Sequence, residues 1–436
     1  MLSRKQVAES QRRRILDAMV SAVGENGYAR TPVAAVIERA GVSRKAFYER
    51  FPNKDACFAA AVDEVTGRAV AHLEATVADA SGAGRGVERT IEALFASALA
   101  HPQAVRLVLA ELCALGPEQI ARREQLVSVA EGIVSEMLRV RRSDGAPDPI
   151  LRATTGGVSQ VLYARACQNV RVSASLIEEL LGWMSSYRPV PKRFMARDQR
   201  TGGHARAAPP GGRAPGSLSP APGMSHRGGL RGDRVSSHSF VVHNQRERIL
   251  DAVTNLGASI GYLAITIGSI TKHASVSADT FYSHFESKED AFLVAYEIGQ
   301  NRGFALTEAA CRAAPDWPSG VRAGISAMFG FYASEPAFAH LALVDAQVVA
   351  PRTAARARKA LDQYGQMFLH GADSPAQGST ALIKEAVIGG LFELCLSYTL
   401  ERRTAELSSL VAPATYFALA PIIGSQAAAR AARAPR

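Results

Sequence analysis

Cysteine is scarce and scattered: the five at positions 57, 113, 167, 311 and 395 form no CxxC pair and no Cys/His cluster. That spacing excludes a zinc module and a disulfide scaffold, and leaves buried or half-buried free thiols. Long apolar runs are missing too. The longest nearly uncharged stretch late in the chain, Val411 to Gly424, has 14 residues and contains Pro413 and Pro421, short of the roughly 20 residues that span a bilayer. The N-terminus, MLSRKQVAESQRRRILDAMV, has charges but no apolar core or small-residue cleavage site after them, so a cytoplasmic protein with no membrane partner is expected. No nucleophile elbow, Gly-rich phosphate loop or metal-spaced cluster occurs, so no enzyme, metal or cofactor is expected. What is there is an ordinary globular balance, 47% hydrophobic and 21% charged, over 436 residues, enough for two or three domains.

The net charge is +10, from 50 Lys+Arg against 40 Asp+Glu. Its placement matters more than its size. From Arg188 to Phe240 the composition turns to Pro, Gly, Ala and Arg without apolar periodicity, and this tract holds ten Lys/Arg and two Asp, +8 of the total. It reads as a disordered linker, 189–240, whose flexible span is about 40 Å.

The flanking segments repeat each other. RILDA stands at 14–18 and at 248–252, Gly27-Tyr28 recurs as Gly261-Tyr262, and Phe47-Tyr48 recurs as Phe281-Tyr282, always at an offset of 234. Positions 11–58 set against 245–292 without a gap share 17 identities. The offset persists to Phe95/Phe329 and Pro102/Pro336, then slips by about one if Gly156-Gly157 matches Gly389-Gly390. The chain is therefore read as a tandem duplication. Apolar residues at helical spacing, such as Ile15, Leu16, Met19 and Val23, with almost no strand-like alternation, predict an all-α fold in both copies.

In the first copy, Thr31-Pro32 predicts a helix start with Thr31 as N-cap, Gly41 a left-handed end, and Ser43 the cap of a second short helix from Arg44 to about Arg50. Two short helices around such a turn make a helix-turn-helix, whose second helix presents its N-terminal side chains to the major groove.

RRRILDAMVSAVGENGYARTPVAAVIERAGVSRKAFYERFPNKDACF resembles the N-terminal DNA-binding domain of the TetR family of bacterial transcription regulators, and QRERILDAVTNLGASIGYLAITIGSITKHASVSADTFYSHFESKEDAF resembles a second one. The resemblance rests on the order RxxIL, GY, AGVS, FYxxF and a later Lys. It implies two units, each with a DNA-binding domain (11–71 and 241–305) followed by a helical effector and dimerisation domain (72–188 and 306–430). It also implies a DNA-facing set: Thr31 at the start of the first short helix, Ser43, Arg44 and Lys45 at the groove, and Tyr48 and Lys54 on phosphates, with Phe47 and Phe51 in the core. In the second copy the corresponding set is Thr266, then Ser277, Ala278, Asp279 and Thr280, then Tyr282, His284 and Lys288. Two departures stand out: Pro32 replaces a common threonine, and Ser275 replaces the turn glycine, forcing a left-handed non-Gly residue at ~1 kcal/mol.

Residues 1–58 carry 11 Lys/Arg against 6 Asp/Glu, net +5, while 241–292 carry 4 against 6, net −2. Because phosphate neutralisation supplies much of the affinity, the first copy is expected to dominate DNA binding. The resemblance implies a transcriptional regulator, expected to be a repressor that binds an imperfect inverted repeat as an intramolecular pseudo-dimer or as a dimer of chains. Release by a lipophilic or aromatic small molecule is expected, with one pocket dominating because the helical bodies have diverged most. The alternative is a ligand-sensing or interaction scaffold in which one or both helix-turn-helix motifs no longer bind DNA.

Overall fold

The computed structural model describes residues 4–28, 30–80, 86–111, 117–138, 148–168, 173–187, 237–349, 351–369 and 379–433. Every regular element among them is a helix. The first copy contributes α1 (Arg4–Asn26), α2 (Val33–Ala40), α3 (Arg44–Tyr48), α4 (Lys54–Ala80), α5 (Gly86–Ala100), α6 (Pro102–Arg106), α7 (Pro117–Leu138), α8 (Pro149–Gln168) and α9 (Ala174–Ser185). The second contributes α10 (Ser237–Ile260), α11 (Ile267–Ala274), α12 (Ala278–His284), α13 (Lys288–Ala313), α14 (Trp317–Ser334), α15 (Pro336–His340), α16 (Ala346–Val349), α17 (Pro351–Leu369), α18 (Thr380–Leu400), α19 (Val411–Ile423) and α20 (Ser425–Ala431).

The repeat is structural as well as textual. Pro102 and Pro336 open α6 and α15 at the first helical position, where a missing N–H costs nothing, and both helices continue into a π-helical turn, Leu107–Glu111 and Leu341–Asp345. Helix boundaries differ from the domain limits read off the sequence. The limits at 71 and 305 fall inside α4 and α13, so one continuous helix joins each DNA-binding region to the body behind it. α10 begins at Ser237, inside the 189–240 stretch that reads as linker; residues 189–236 lie outside the described ones. The DNA-binding region of the first copy has its own small core of Ile15, Leu16, Met19, Val36, Phe47 and Phe58, all essentially inaccessible.

The halves meet along α8 and α18 in a reciprocal way. A Cβ on Gly156 would collide with the side chain of Glu393, and one on Gly389 with Gln160. Gly157 closes on the carbonyl of Ala386, and Gly390 on that of Ala153. At an offset of 233 these pairs interchange, which is the pattern of a local two-fold, and small residues let the two backbones approach. Beside this seam the Tyr187 ring stacks on Phe417 at 5.0 Å and its hydroxyl donates to the Phe417 carbonyl at 3.1 Å. A buried ion network also crosses it: Arg123 pairs with Glu393, Glu393 lies 3.6 Å from Arg152, and Arg152 pairs with Glu131 at 2.6 Å. Arg165 pairs with Glu385 across the same seam at 2.8 Å.

The apolar stretch near the C-terminus is longer than the 14-residue run suggested. Thr404–Ile423 is long and apolar enough by composition to cross a membrane, and 67% of its most apolar window is buried. It packs against α14 and α8, the setting of a core helix. Of the cysteines, Cys57 and Cys395 are buried and Cys167 and Cys311 half-buried, all free thiols; Cys113 lies outside the described residues.

Candidate nucleic-acid interface

Each helix-turn-helix is built by the same few contacts. Gly41 ends α2 at φ 59°, and Ser275 ends α11 at φ 51°. Both lie in the left-handed region, so Ser275 holds a strained conformation that glycine adopts freely. Arginines from the repeated RIL motif clamp the two turns: Arg14 donates to the Gly41 carbonyl at 2.6 Å and also reaches Ala40, while Arg248 donates to the Ser275 carbonyl at 2.6 Å and also reaches Ala274. These carbonyls are the orphan acceptors of a helix end, and a guanidinium satisfies two at once. The sequence reading passed over both arginines, although their recurrence at the common offset was the available signal.

The start of α2 corrects the sequence reading. Pro32, not Thr31, occupies the N-cap and offers no side-chain hydrogen bond. Thr31 is 1% exposed, and its hydroxyl donates inward to the carbonyls of Gly27 (2.9 Å) and Ala22 (3.2 Å). Its counterpart in the second copy is the buried Ile265, so position 31 belongs to the core, which removes Thr31 from the DNA-facing set. Thr266, the counterpart of Pro32, is exposed and closes a reciprocal capping box with Ser269.

The recognition helices present the remaining candidates. Ser43 caps α3 by accepting from the Ala46 N–H at 3.1 Å, and Ser277 caps α12 by accepting from Thr280 at 3.0 Å. Phe47 and Phe281 are fully buried and pin each helix to its core. The next residue then faces out: Tyr48 is 43% and Tyr282 56% exposed, each edge-on to its neighbouring phenylalanine. Arg44 and Lys45 are exposed beside Tyr48, with the Arg44 guanidinium 5.8 Å from the Tyr48 ring centre. On α12 the residues at the corresponding positions, Ala278 and Asp279, are exposed, with Thr280 half-buried. One helix thus presents two cations where its counterpart presents an alanine and a carboxylate.

Lys54 and Lys288, opening α4 and α13, are half-buried and tied to the turn before the first short helix. Lys54 donates to the Tyr28 carbonyl at 3.0 Å and sits 3.9 Å from the Tyr28 ring centre. Lys288 donates to the carbonyls of Tyr262 (3.1 Å) and Ile265 (2.8 Å) over the Tyr262 ring at 4.2 Å. These cation–π contacts make both lysines positioning groups in the free protein. Burial lowers the Lys288 pKa, and Asp345 opposes the shift. Burial and then Arg246 lower the His284 pKa, which favours the neutral imidazole at neutral pH.

A sequence model described as "Bacterial regulatory proteins, tetR family" matches residues 15–61 and 249–295. No curated protein matches the chain. Among solved structures, the fatty acid degradation regulator FadR from Bacillus halodurans is 20% identical with a TM-score of 0.37, over 40% of this chain and 97% of that one. FadR from Bacillus subtilis, solved with stearoyl-CoA, is 16% identical with a TM-score of 0.37, over 40% and 98%. A TetR family regulator from Marinobacter aquaeolei VT8 is 18% identical with a TM-score of 0.35, over 41% and 96%. Two matched domains at the offset of the internal repeat lead to one conclusion: the chain carries two helix-turn-helix domains of the tetR family of bacterial regulatory proteins in tandem, the DNA-binding domains of a transcriptional regulator.

Proposed function

We propose that this protein is a repressor in which one chain supplies both halves of the DNA-binding dimer, and that a small lipophilic effector releases it. The observation that supports the pairing best is the charge arrangement at the α8/α18 seam. Glu393 faces Arg123 and Arg152, whereas its counterpart in the first copy is Gln160. Pairing two first copies would set those arginines against a glutamine. Pairing two second copies would bring Glu393 toward Glu385 and Ala357, the counterparts of Arg152 and Arg123. Two carboxylates brought face to face repel, so unlike halves are favoured over like ones.

The two recognition helices differ, so the operator is an imperfect inverted repeat, with Arg44 suited to guanine and Asp279 to a cytosine amino group. The excess of +5 on residues 1–58 against −2 on 241–292 puts most of the phosphate attraction on the first copy. Gel shifts against fragments selected from the source genome test this. Tyr48→Ala and Lys54→Ala are expected to weaken binding about uniformly across sequences, and Arg44→Ala to relax preference at one base by ~1–3 kcal/mol. Equal losses from Lys54→Ala and Lys288→Ala would overturn the asymmetry, and a perfectly palindromic consensus would favour a dimer of chains.

A further inference from the structure

The first copy holds a half-open cavity of about 670 Å³, the size range of a small-molecule site. Its wall is apolar at depth, with Ile91, Leu94, Phe95, Val134 and Leu162, and its polar residues include Arg68, His72 and His101. Comparison of the two copies shows why the space exists. Four positions that line it, Ser97, Ala98, Ala104 and Ala130, correspond at the offset of 234 to Phe331, Tyr332, Phe338 and Tyr364. Those four aromatic residues are all buried, Tyr332 and Phe338 at 1% exposure. The Phe338 ring lies 5.5 Å from Phe331 and 6.5 Å from Tyr332, parallel to the latter within 9°.

The opposing helix has co-adapted. On α13, Gly299 and Gly303 make room for these rings, since a Cβ at Gly299 would collide with Phe338 and one at Gly303 would come within 2.8 Å of Phe331. Their counterparts on α4, Val65 and Ala69, carry side chains and line the cavity. The second copy thus fills with its own aromatic residues the volume that the first copy leaves open. One polar group inside the cavity wall also stands alone. The Thr155 hydroxyl, on a residue 2% exposed, has no hydrogen-bond partner among the described residues. A buried hydroxyl in that state is a cost to the fold unless something pairs with it.

We infer that the chain has a single effector site, the first copy's cavity, which takes a lipophilic molecule bearing one carbonyl or hydroxyl that pairs with Thr155, and that the second copy is permanently plugged by Phe331, Tyr332, Phe338 and Tyr364. This assignment rests on the effector reading above. The site also touches the DNA-binding region of its own copy, because Asp17, Val20 and Ser21 of α1 form part of its wall. Occupancy therefore bears on the more basic helix-turn-helix directly, and on the other only through the seam.

The test uses the full chain and 6-propionyl-2-dimethylaminonaphthalene, a neutral lipophilic fluorophore whose emission reports hydrogen bonding at its carbonyl. One class of saturable site is expected. Ala104→Phe, which copies the plug into the first copy, is expected to cut affinity at least tenfold, and Ser97→Phe to do the same should the first variant fold poorly by circular dichroism. Thr155→Val is expected to leave the probe bound but shift its emission to the blue. Phe338→Ala in the second copy is expected to add a second class of site. No saturable binding, two classes of site in the wild-type chain, or full binding by a folded Ala104→Phe variant would overturn the assignment. A probe that binds as stated but leaves DNA affinity unchanged would instead overturn effector release and leave the single-site assignment standing, since equal affinity for both states shifts nothing.

Discussion

Replacing Glu393 by glutamine makes position 393 the same as its counterpart, Gln160, and so erases the charge difference at the seam while keeping the shape. The side chain is 8% exposed, and its cationic neighbours Arg123 and Arg152 are 11% and 5% exposed. Removing one member of a buried pair costs ~3–5 kcal/mol when it strands the other. Here neither guanidinium is stranded, because Arg123 keeps Glu124 at 2.9 Å, and Arg152 keeps Glu131 at 2.6 Å and Glu124 at 2.8 Å. The loss should therefore fall below that range, at about 2 kcal/mol. In a cooperative unit of this size each kcal/mol moves the midpoint by ~2–4 °C, so calorimetry should register a fall of about 4–8 °C. A double-mutant cycle with Arg123→Met separates the pair from the general effect of altering a core residue. The expected coupling is above 1 kcal/mol by the usual behaviour of contacting charges. Glu406→Gln serves as the comparison, since its partner Arg403 is 30% exposed and such pairs contribute ~1 kcal/mol or less. Additive losses in the cycle, or a Glu393→Gln variant as stable as wild type, would refute the view that this carboxylate holds the seam.

Two further outcomes follow from single residues. Ser275→Gly relieves the left-handed serine at φ 51° and should raise stability in urea titrations by ~1 kcal/mol, whereas Gly41→Ser should lower it by a similar amount; a destabilised Ser275→Gly chain would show that no strain is held there. Asp148 is pushed up to about 6 by burial, with backbone hydrogen bonds from Ile150 and Leu151 opposing and Glu131 adding to the rise. The folded state therefore holds this proton more tightly than the unfolded state does. Its contribution is full below about pH 4 and fades as pH rises through 6, a change of ~3 kcal/mol. Asp148→Asn should flatten that part of the stability profile, and an unchanged slope between pH 4 and 6 would count against the assignment.

The sequence by itself determined the duplication, the helical class and the two helix-turn-helix motifs. These depend on local rules: spacing of apolar residues, a left-handed residue between two short helices, and serine caps at positions 43 and 277. It misplaced Thr31 because a threonine before a proline reads as a cap, and only the packing shows that this side chain turns inward to the Ala22 carbonyl. For the arginine clamps joining α1 to the turn 27 residues on, and α10 to its own turn, recurrence in the RIL motif marks the residues, but no local pattern states which carbonyls a guanidinium will satisfy. Tertiary structure alone decided what happens between and within the bodies. Glu393 pairs with Arg123 across 270 residues of chain, and Ser97, Ala98 and Ala104 become a cavity only because nothing opposite them fills the space that Phe331, Tyr332 and Phe338 occupy in the other copy. A small residue reads the same in sequence whether a neighbour closes over it or not, and close packing in three dimensions settles which.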